Sequence, residues 1–583
     1  MVKKIAGITL AAALAAGSMY GFAGCGEVIS QSVDETKTQL YVGNYDGGVG
    51  TQWLYDAADR FEEMFADYEF EPGSGKVGVE VIVTPDKTNF HGDSLLNNMA
   101  SSENQVFFTE RANYETYATS GAVADISDIL DDSLEEFGDT GTIADKLDEE
   151  WASYLDLNGK VYALPHYRLF TGIQYNVDMF EYYGFYFAAD GGFVRPGSTA
   201  EEDARSAGPD GEERTPDDGL PATYDEFFEL CDYMLERNVT PVIWTGENKA
   251  QYTGFLYWAL YADYEGKDKL MPNFTFTGSV DDIVTQASLD AGDPSALATE
   301  TVSMTPEDGW QLRRQLGRYY ALSFLERLVD EQRIDGTATG STYYDGQSTA
   351  GTFSHLAAQT EFVSRWHNGE LDPDMNTSTT RPVAMLLDGN WWQNEADLNP
   401  TQGFGEAVNV FGETAGKENR RFAVMPMPKA EGKEAGTYTL VEQYPSSVFI
   451  NSYTTQDENM LNLAKMFVKF ICTESELQYF TAETGVPKSL NYTMPENLLS
   501  QMTYYEQNVW YYNTHADVVL PYSDSNLYRN NASTLWYAYD WETDTENIPV
   551  DALRGGMSAY DYFKGMAEAM SQDDWNNTYS GSF

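Results

Sequence analysis

The chain has 583 residues, more than a single compact hydrophobic core accommodates, so at least two lobes or domains are expected. Its 35 Lys and Arg residues against 92 Asp and Glu residues give a formal net charge of −57. Such a surface repels the phosphates of nucleic acids and anionic lipid headgroups, and solubility explains the acidity. Hydrophobic residues at 42% and aromatic residues at 14% exclude a globally disordered chain.

The N-terminus has the pattern of a bacterial export signal. A short basic stretch precedes the apolar residues 5–16, and small residues then lead to Cys25. This pattern resembles a lipobox, in which residues 1–24 form the signal peptide and the thiol of Cys25 carries the lipid. An ordinary secretory signal and a membrane-spanning anchor are the alternatives. We expect residues 25–37 to tether the protein, through acyl chains such as palmitate, to the extracellular face of the cytoplasmic membrane.

Strand and helix patterns alternate after this tether. The predicted strands are residues 40–42, 77–83, 105–108 and 239–244, and the predicted helices are residues 54–65, 224–238 and 460–471. Thr223 and Glu226 form a predicted capping box at the start of the second of these helices. Strands, glycine loops and helices in this order indicate an α/β fold.

An acidic segment, residues 190–220, interrupts this pattern and is predicted to be an insertion. Within it, Asp210, Asp217 and Asp218 lie among glycines, where carboxylate oxygens on a tight loop could hold a structural calcium ion. The spacing differs from that of an EF-hand, and a solvated turn is the alternative. We expect no other cofactor to be required.

The sequence offers little material for catalysis. It has five histidines and no HExxH, GxSxG or Walker pattern. Paired carboxylates are too common in an acidic chain to indicate glycoside hydrolysis. Besides Cys25, the chain has only Cys231 and Cys472, whose spacing matches no metal or redox motif. We expect both to be buried free thiols, and a disulfide between them is the alternative. These observations favour a binding protein over an enzyme.

A series of short motifs extends from about residue 38 to the C-terminus. In chain order they are LYVGNYDGGVG, VFFTE, GKVYALPHYRLFTGIQYNVDMFEYYG, PATYDEF, VTPVIWTG, AMLLDGNWW and ETGVPKS. The most specific pair is residues 159–165 followed by residues 175–178. Together with the lipobox, this order of motifs resembles the extracellular solute-binding proteins of carbohydrate ABC importers, the maltose-binding-protein-like group.

The resemblance implies a periplasmic-binding-protein-like α/β fold whose two lobes close on a ligand about a hinge. Lobe one would hold residues 38–165 and 446–490, and lobe two residues 166–445 and 491–583, with acidic insertions. The implied function is that of a monomer that captures a carbohydrate, expected to be an oligosaccharide, and delivers it to the permease subunits of an ABC transporter. A surface enzyme acting on glycans and a binding protein for peptides are the alternatives.

Recognition of a sugar combines aromatic planes, which cover its C–H faces, with polar side chains that pair its hydroxyl groups. The resemblance places such residues on loops at strand ends, facing the crevice. The ligand-binding residues that it implies are Tyr45, Asp46, Glu110, His166, Trp244, Tyr252, Trp391, Gln443 and Trp536.

Several of these assignments have a structural alternative. Asp46 could serve only the turn in which it lies, and Trp244 could pack in the core at a strand end. Trp391 and Trp392 are adjacent and therefore face different ways. We predict that Trp391 faces the ligand and that Trp392 belongs to the core. Tyr444, next to Gln443, is a weaker candidate.

Overall fold

The computed structural model describes residues 33–331, 342–376, 380–537 and 548–583, with side chains up to residue 531 in the third range. Cys25 and the export signal lie outside the described residues. Within the described ranges, every helix is too short or too polar to cross a lipid bilayer.

The strands of the described residues are numbered in chain order. They are β1 (Thr38–Asn44), β2 (Val79–Pro85), β3 (Val106–Glu110), β4 (Ala163–Pro165), β5 (Thr171–Asn176), β6 (Thr240–Ile243), β7 (Ser279–Val284), β8 (Thr299–Ser303), β9 (Trp366–His367), β10 (Glu370–Leu371), β11 (Val383–Gly389), β12 (Phe422–Met425), β13 (Thr439–Val441), β14 (Ser446–Ile450) and β15 (Asp517–Val519).

The α-helices are numbered in the same way. They are α1 (Gln52–Met64), α2 (Gly92–Met99), α3 (Tyr114–Ser120), α4 (Glu149–Leu155), α5 (Val177–Tyr183), α6 (Tyr224–Glu236), α7 (Lys249–Leu270), α8 (Pro272–Thr275), α9 (Gln286–Ala291), α10 (Leu316–Val329), α11 (His355–Ser364), α12 (Trp392–Asp397), α13 (Phe404–Phe411), α14 (Glu458–Ile471), α15 (Glu474–Thr484), α16 (Glu496–Leu499), α17 (Tyr504–His515), α18 (Asn526–Tyr537), α19 (Pro549–Arg554), α20 (Ala559–Glu568) and α21 (Gln572–Tyr579).

Two mixed sheets organise the molecule. The first has the strand order β2-β1-β3-β14-β4, and the second has the order β12-β5-β11-β6. In the first sheet β1 is parallel to β2 and β3, whereas β14 is antiparallel to β3 and β4. In the second sheet β5 is antiparallel to β11 and β12, and β11 is parallel to β6. The predicted α/β fold class is confirmed.

The sequence patterns locate the elements correctly. The predicted strands correspond to β1, β2, β3 and β6, and the predicted helices to α1, α6 and α14. The capping box of α6 is only half formed. The Thr223 side chain accepts from the amide of Glu226, but the Glu226 carboxylate accepts from the amide of Ala222, one residue earlier than predicted.

Apolar faces explain how the helices pack. Helix α1 buries Trp53, Leu54, Ala57, Ala58 and Phe61. Burying one large apolar side chain contributes about 1.5–3 kcal/mol, so this face alone secures the helix. Helix α7 is buried on all sides along residues 252–262, and Trp258 lies in the core as predicted. Cys231 and Cys472 are buried free thiols, which confirms the prediction.

Three chain segments connect the two sheets and lie side by side. We call them the connectors: residues 166–170, residues 442–445 and residues 486–490. The first two are joined by a bond of 2.7 Å from the amide of Gln443 to the carbonyl of Leu169. The first and third are joined by one antiparallel bridge, between Tyr167 and Lys488. The limits of the two lobes stay a prediction.

The strand register brings the functional loops to the connectors. Glu110 at the end of β3 pairs with Ser446, the first residue after the second connector. Gly389 at the end of β11 pairs with Thr171, the first residue after the first connector. The loops that leave these strand ends therefore emerge next to the connectors, on both sheets.

Candidate functional site

A cavity of about 230 Å³ lies between the two sets of loops. Residues 45–49, Lys87 and residues 110–111 reach it from the first sheet. The rest of its wall comes from the second sheet and the connectors. Its full lining is Tyr45, Gly48, Val49, Lys87, Glu110, Arg111, Leu169, Asn248, Gln251, Tyr252, His355, Trp391, Glu395 and Tyr444. Tyr45, Glu110, Tyr252 and Trp391 are the predicted ligand-binding residues that meet here.

Aromatic rings form much of this wall. The ring centres of Trp391 and Tyr444 are 5.9 Å apart, and Phe255 packs behind both rings at 6.1 and 5.9 Å. On the first-sheet side, Tyr45 meets the edge of His91 at 5.5 Å. Rings of this kind cover the C–H faces of a sugar while their polar tips remain available for hydrogen bonds.

Trp391 and Trp392 occupy different environments. Trp391 is 7% exposed and lies on the cavity, whereas Trp392 is 0% exposed. Four aromatic rings surround Trp392, those of Phe362, Phe404, Phe422 and Tyr505. Trp392 is therefore a core residue, as predicted, and ligand binding by Trp391 stays a prediction.

Two glycines are needed beside Trp391. A Cβ at Gly389 would collide with the Trp391 ring. A Cβ at Gly48 would lie 2.7 Å from Cδ1 of Trp391 and 3.1 Å from Cγ of Glu395. Because Gly48 follows β1 and Trp391 follows β11, this close approach brings the loops of the two sheets into contact across the mouth of the cavity.

Glu110 is the most deeply buried acid of the cavity. Its Oε1 accepts a hydrogen bond from the hydroxyl of Tyr167 in the first connector. Burial raises the pKa of Glu110 to about 7, while the bond from Tyr167 and the charge of Arg111 oppose the shift and the charge of Glu395 adds a smaller rise. Burial, with the charge of Glu110 as the second cause, raises the pKa of Tyr45 to about 12.

Arg111 follows Glu110 in the left-handed region, with φ 58°. Its amide donates to the carbonyl of Pro445 at 2.9 Å, which ties the β3 loop to the second connector. Its guanidinium lies 3.8 Å from the ring centre of Tyr444. The Tyr444 hydroxyl also contacts the side-chain amide of Gln251. Tyr444 thus joins groups from both sheets at the cavity wall.

Glu395, which lines the cavity, shares a hydrogen-bond donor with the buried Asp388. Nε2 of Gln359 donates to Oδ2 of Asp388 and to Oε2 of Glu395, both at 3.0 Å. Asp388 is buried, and burial together with the charge of Glu395 raises its pKa well above the ordinary value. Glu395 lies on α12, one helical turn after Trp391.

Asp46 and Trp244 do not line the cavity. Asp46 is exposed and accepts from the hydroxyl of Thr51 at 2.7 Å, the turn role that was its alternative. Trp244 is 0% exposed and packs on Tyr344 at 5.0 Å, so the core alternative describes its position. The side chain of Trp536 lies outside the described residues.

His166 and Gln443 belong to the connectors and do not line the cavity. His166 is buried, and its Nδ1 lies 2.7 Å from Nζ of Lys488. Its ring packs on Trp53 at 4.9 Å and on Phe108 at 4.8 Å. Burial, together with the charge of Lys488, lowers the pKa of His166 well below the ordinary value, so the ring is neutral. The surroundings of His166 are those of a packed core side chain, and its role in ligand binding stays a prediction.

Several cavity residues were not anticipated from the sequence. They are Gly48, Val49, Lys87, Arg111, Leu169, Asn248, Gln251, His355 and Glu395. Two of them carried a usable signal. Glu395 follows Trp391 by four residues, the spacing of one helical face, and Gln251 directly precedes Tyr252 at the start of α7.

The aspartates of the insertion are engaged within their own loop. Asp217 accepts from the amide of Asp210 at 3.0 Å and from the hydroxyl of Thr215 at 2.6 Å, and Asp218 accepts from the amide of Arg214 at 2.9 Å. Burial raises the pKa of Asp217 to about 6. Across the described part of the chain, no group of three or more His, Cys, Asp or Glu side chains is arranged to hold a metal ion. Calcium binding by Asp210, Asp217 and Asp218 stays a prediction.

A second cavity, of about 260 Å³, lies beside the connectors. It is lined mainly by charged side chains, which include Asp148, Arg168, Lys267 and Glu442. These pair with each other or with their neighbours: Arg168 contacts Glu442 at 3.2 Å, and Lys267 contacts Glu150 at 2.8 Å. Its single aromatic residue is Trp151, so this cavity lacks the ring surfaces that a sugar face requires.

Solved structures share the arrangement of these elements. A chitin oligosaccharide binding protein superposes with a TM-score of 0.51 at 15% identity, over 93% of this chain and 99% of that one. A structure from work on xylan utilization by the thermophilic bacterium Caldanaerobius polysaccharolyticus has a TM-score of 0.51 at 12% identity, over 91% of this chain and all of that one. No protein-family model matches the chain, and the search of curated proteins returned no match. The chain therefore has the two-lobe fold of solute-binding proteins.

Proposed function

We propose that the protein is an extracellular binding protein that captures a carbohydrate, an oligosaccharide, and delivers it to the permease of an ABC importer. The observation that carries this proposal is the cavity between the two sheets. Its wall combines the rings of Tyr45, Tyr252, Trp391 and Tyr444 with polar groups from both sides, which is the combination that sugar recognition needs. The named binding partners of the similar structures support the same ligand class.

A thermal-shift screen tests the proposal directly. The purified full-length chain is incubated with monosaccharides, oligosaccharides and short peptides, and its melting temperature is measured. A ligand present at 100 times its dissociation constant adds about 2.7 kcal/mol to the unfolding free energy, enough for a clear shift. A shift with a saccharide supports the proposal. Shifts with peptides and with no saccharide contradict it.

The same incubation separates binding from catalysis. We expect each bound saccharide to be recovered unchanged by chromatography. The sequence has no recognised catalytic motif, and the carboxyl groups of the cavity are engaged in hydrogen bonds with neighbouring side chains. Release of shortened products would favour a glycan-acting enzyme.

We further propose that Cys25 carries the lipid anchor and that the protein acts as a monomer at the outer face of the cytoplasmic membrane. The lipobox-like sequence supports this proposal. Expression of a Cys25→Ser variant tests it. We expect the wild type to sediment with membranes and the variant to lose its acylation, and an unchanged acylated product would contradict the assignment.

A further inference from the structure

The strand order gives the cavity an inner side and an outer side. In the first sheet, β4 and β14 adjoin the connectors, and β3, β1 and β2 follow outwards in that order. In the second sheet, the first connector leads into β5, and β11 and β6 follow outwards. The edge strands β2 and β6 therefore lie furthest from the connectors. The inner side of the cavity is at the connectors, and its outer side is at these two edges.

The connectors close the inner side. Leu169 of the first connector lines the cavity and is buried. Tyr444 of the second connector also lines it, and its ring lies 5.9 Å from that of Trp391. Arg111 is exposed, and its guanidinium covers the Tyr444 ring at 3.8 Å. Because the amide of Gln443 bonds the carbonyl of Leu169, the two connectors form one continuous wall, which a saccharide chain cannot pass.

The exposure of the lining residues changes from the inner to the outer side. Glu110, Leu169 and Trp391, which lie at the connectors or follow the strands β3 and β11, are buried. The lining residues that follow the two edge strands are Lys87 after β2 and Asn248 after β6, and both are exposed. The cavity therefore opens to solvent between the two sheet edges.

The enclosed space is small. The close approach of Gly48 to Trp391 limits the cavity between the two loops. Its volume of about 230 Å³ corresponds to about eight water molecules at about 30 Å³ each. One pyranose ring with its hydroxyl groups takes up most of this volume. The second unit of a saccharide chain therefore extends towards the open side.

We propose that the cavity takes one end of a saccharide chain, so that the protein recognises a chain terminus and not the interior of a polysaccharide. The inference rests on the proposed function. The terminal unit lies between Glu110 and Trp391, with its C–H face on the ring of Trp391. The following units leave between Lys87 and Asn248. A bulky group on the enclosed end has no space, whereas the same group on the other end remains in solvent.

Calorimetric titration of the full-length chain with end-labelled saccharides tests this inference. The probes are the linear tetrasaccharides of β-1,4-linked N-acetylglucosamine, β-1,4-linked xylose and α-1,4-linked glucose. Each is used without a label, with an aminopyridine group at the reducing end, or with a benzyl group at the non-reducing end. For a tetrasaccharide that binds, we expect one label to weaken binding at least tenfold and the other to change it less than about threefold.

Chain length gives a second readout. Each probe series is titrated from the monosaccharide to the hexasaccharide. We expect the affinity to increase up to two or three units and then to stay constant, because later units lie outside the cavity in solvent.

A variant at the outer edge refines the test. Asn248→Ala removes a polar side chain from the exit, so it should weaken binding of a trisaccharide more than binding of the monosaccharide. The matched control is Asn497→Ala, which makes the same change at an exposed position of α16 and should leave both affinities as in the wild type. The comparison of labels on the wild type stands even if a variant fails to fold.

The outcomes separate this inference from the proposed function. Tetrasaccharides that bind equally well with either label overturn the inference, and so does an affinity that increases with every unit up to six. Equal losses with both labels also overturn it, because the whole chain would then be enclosed. All three results leave carbohydrate capture intact. If no saccharide binds, in these titrations or in the thermal-shift screen, both the inference and the proposed function are wrong.

Discussion

Trp391 and Trp392 are adjacent in the chain, but Trp391 lines the cavity and Trp392 lies in the core. Trp392 is enclosed by rings of the core, so Trp392→Ala should lower the unfolding free energy by about 3–5 kcal/mol. Trp391→Ala should have a smaller effect on stability and should weaken saccharide binding about tenfold, which is about 1.4 kcal/mol. Urea unfolding and calorimetry measure the two effects. A Trp391→Ala variant that loses stability but keeps its affinity would make Trp391 a packing residue.

Glu110 gives the molecule a pH-dependent stability. Burial raises its pKa to about 7 from the ordinary value of 4.5. Between these values the folded state binds a proton that the unfolded state does not, so the contribution of Glu110 to stability decreases as the pH rises through 7. Glu110→Gln removes this titration. We therefore expect the unfolding free energy of the variant, minus that of the wild type, to increase by about 2–3 kcal/mol as the pH rises from about 5 to 8.

Urea titrations at a series of pH values measure this difference. The control is Glu413→Gln, which removes one carboxyl group from an exposed position. A constant difference for Glu110→Gln would mean that Glu110 titrates like an exposed carboxyl group.

The sequence predicted individual site residues only where a strand end and a suitable side chain coincide. Tyr45, Glu110 and Trp391 satisfy this condition and reach the cavity. Trp244 satisfies it too, but its ring packs on Tyr344, a residue 100 positions later in the chain whose approach no local pattern reveals. The position of Glu395 depends on where α12 begins, and that is fixed by the burial of Trp392.

At the level of elements, the loop after β1 meets the start of α12 through Gly48. A larger side chain there would collide with Trp391, so Gly48→Val should prevent full closure and weaken ligand binding at least tenfold. In solution scattering with ligand present, the radius of gyration of the Gly48→Val variant should exceed that of the wild type. Gly346→Val is the control, because no atom lies within 4 Å of a Cβ at that exposed position. If Gly48→Val and Gly346→Val bind the ligand with equal affinity, the close approach of Gly48 to Trp391 does not matter for binding.

The third connector contains a buried lysine. Lys488 lies between Trp53 and Phe480 and bonds His166, and burial lowers its pKa to about 7. Above pH 7 the unfolded chain holds a proton that the folded chain has lost, so this residue makes stability rise with pH from about 7 to 10.5.

Lys488→Met removes this dependence and keeps an unbranched side chain of similar length. In urea titrations, the unfolding free energy of the wild type, minus that of the variant, should therefore increase as the pH rises from about 7 to 9. Parallel curves for the two proteins would show that Lys488 stays protonated when folded.

For the whole molecule, the net charge of −57 opposes compactness through self-repulsion. Salt shortens the range of this repulsion, from about 30 Å at 0.01 M to about 8 Å at 0.15 M. The melting temperature of the protein without ligand should therefore rise across this range of sodium chloride concentration. A falling melting temperature would mean that attractive ion pairs dominate over repulsion.

The overall architecture was more predictable than the site. Alternating apolar residues mark strands such as β1 and β2, and ordered motifs indicate how the chain passes between two lobes. The cavity, in contrast, combines loops that follow strands more than 250 residues apart, as Tyr45 and Trp391 do. Its volume and its charges depend on how the two sheets meet, which no segment of sequence encodes by itself.

The pairing of β14 with β3 also determines when this protein can fold. These two strands are neighbours in the first sheet although they are far apart in the sequence, because Glu110 of β3 pairs with Ser446 of β14. The sheet cannot be completed until the ribosome has synthesised three quarters of the chain, and contacts of such long range form slowly. A nascent chain of this design therefore holds β1, β2 and β3 without their full sheet until β14 has emerged.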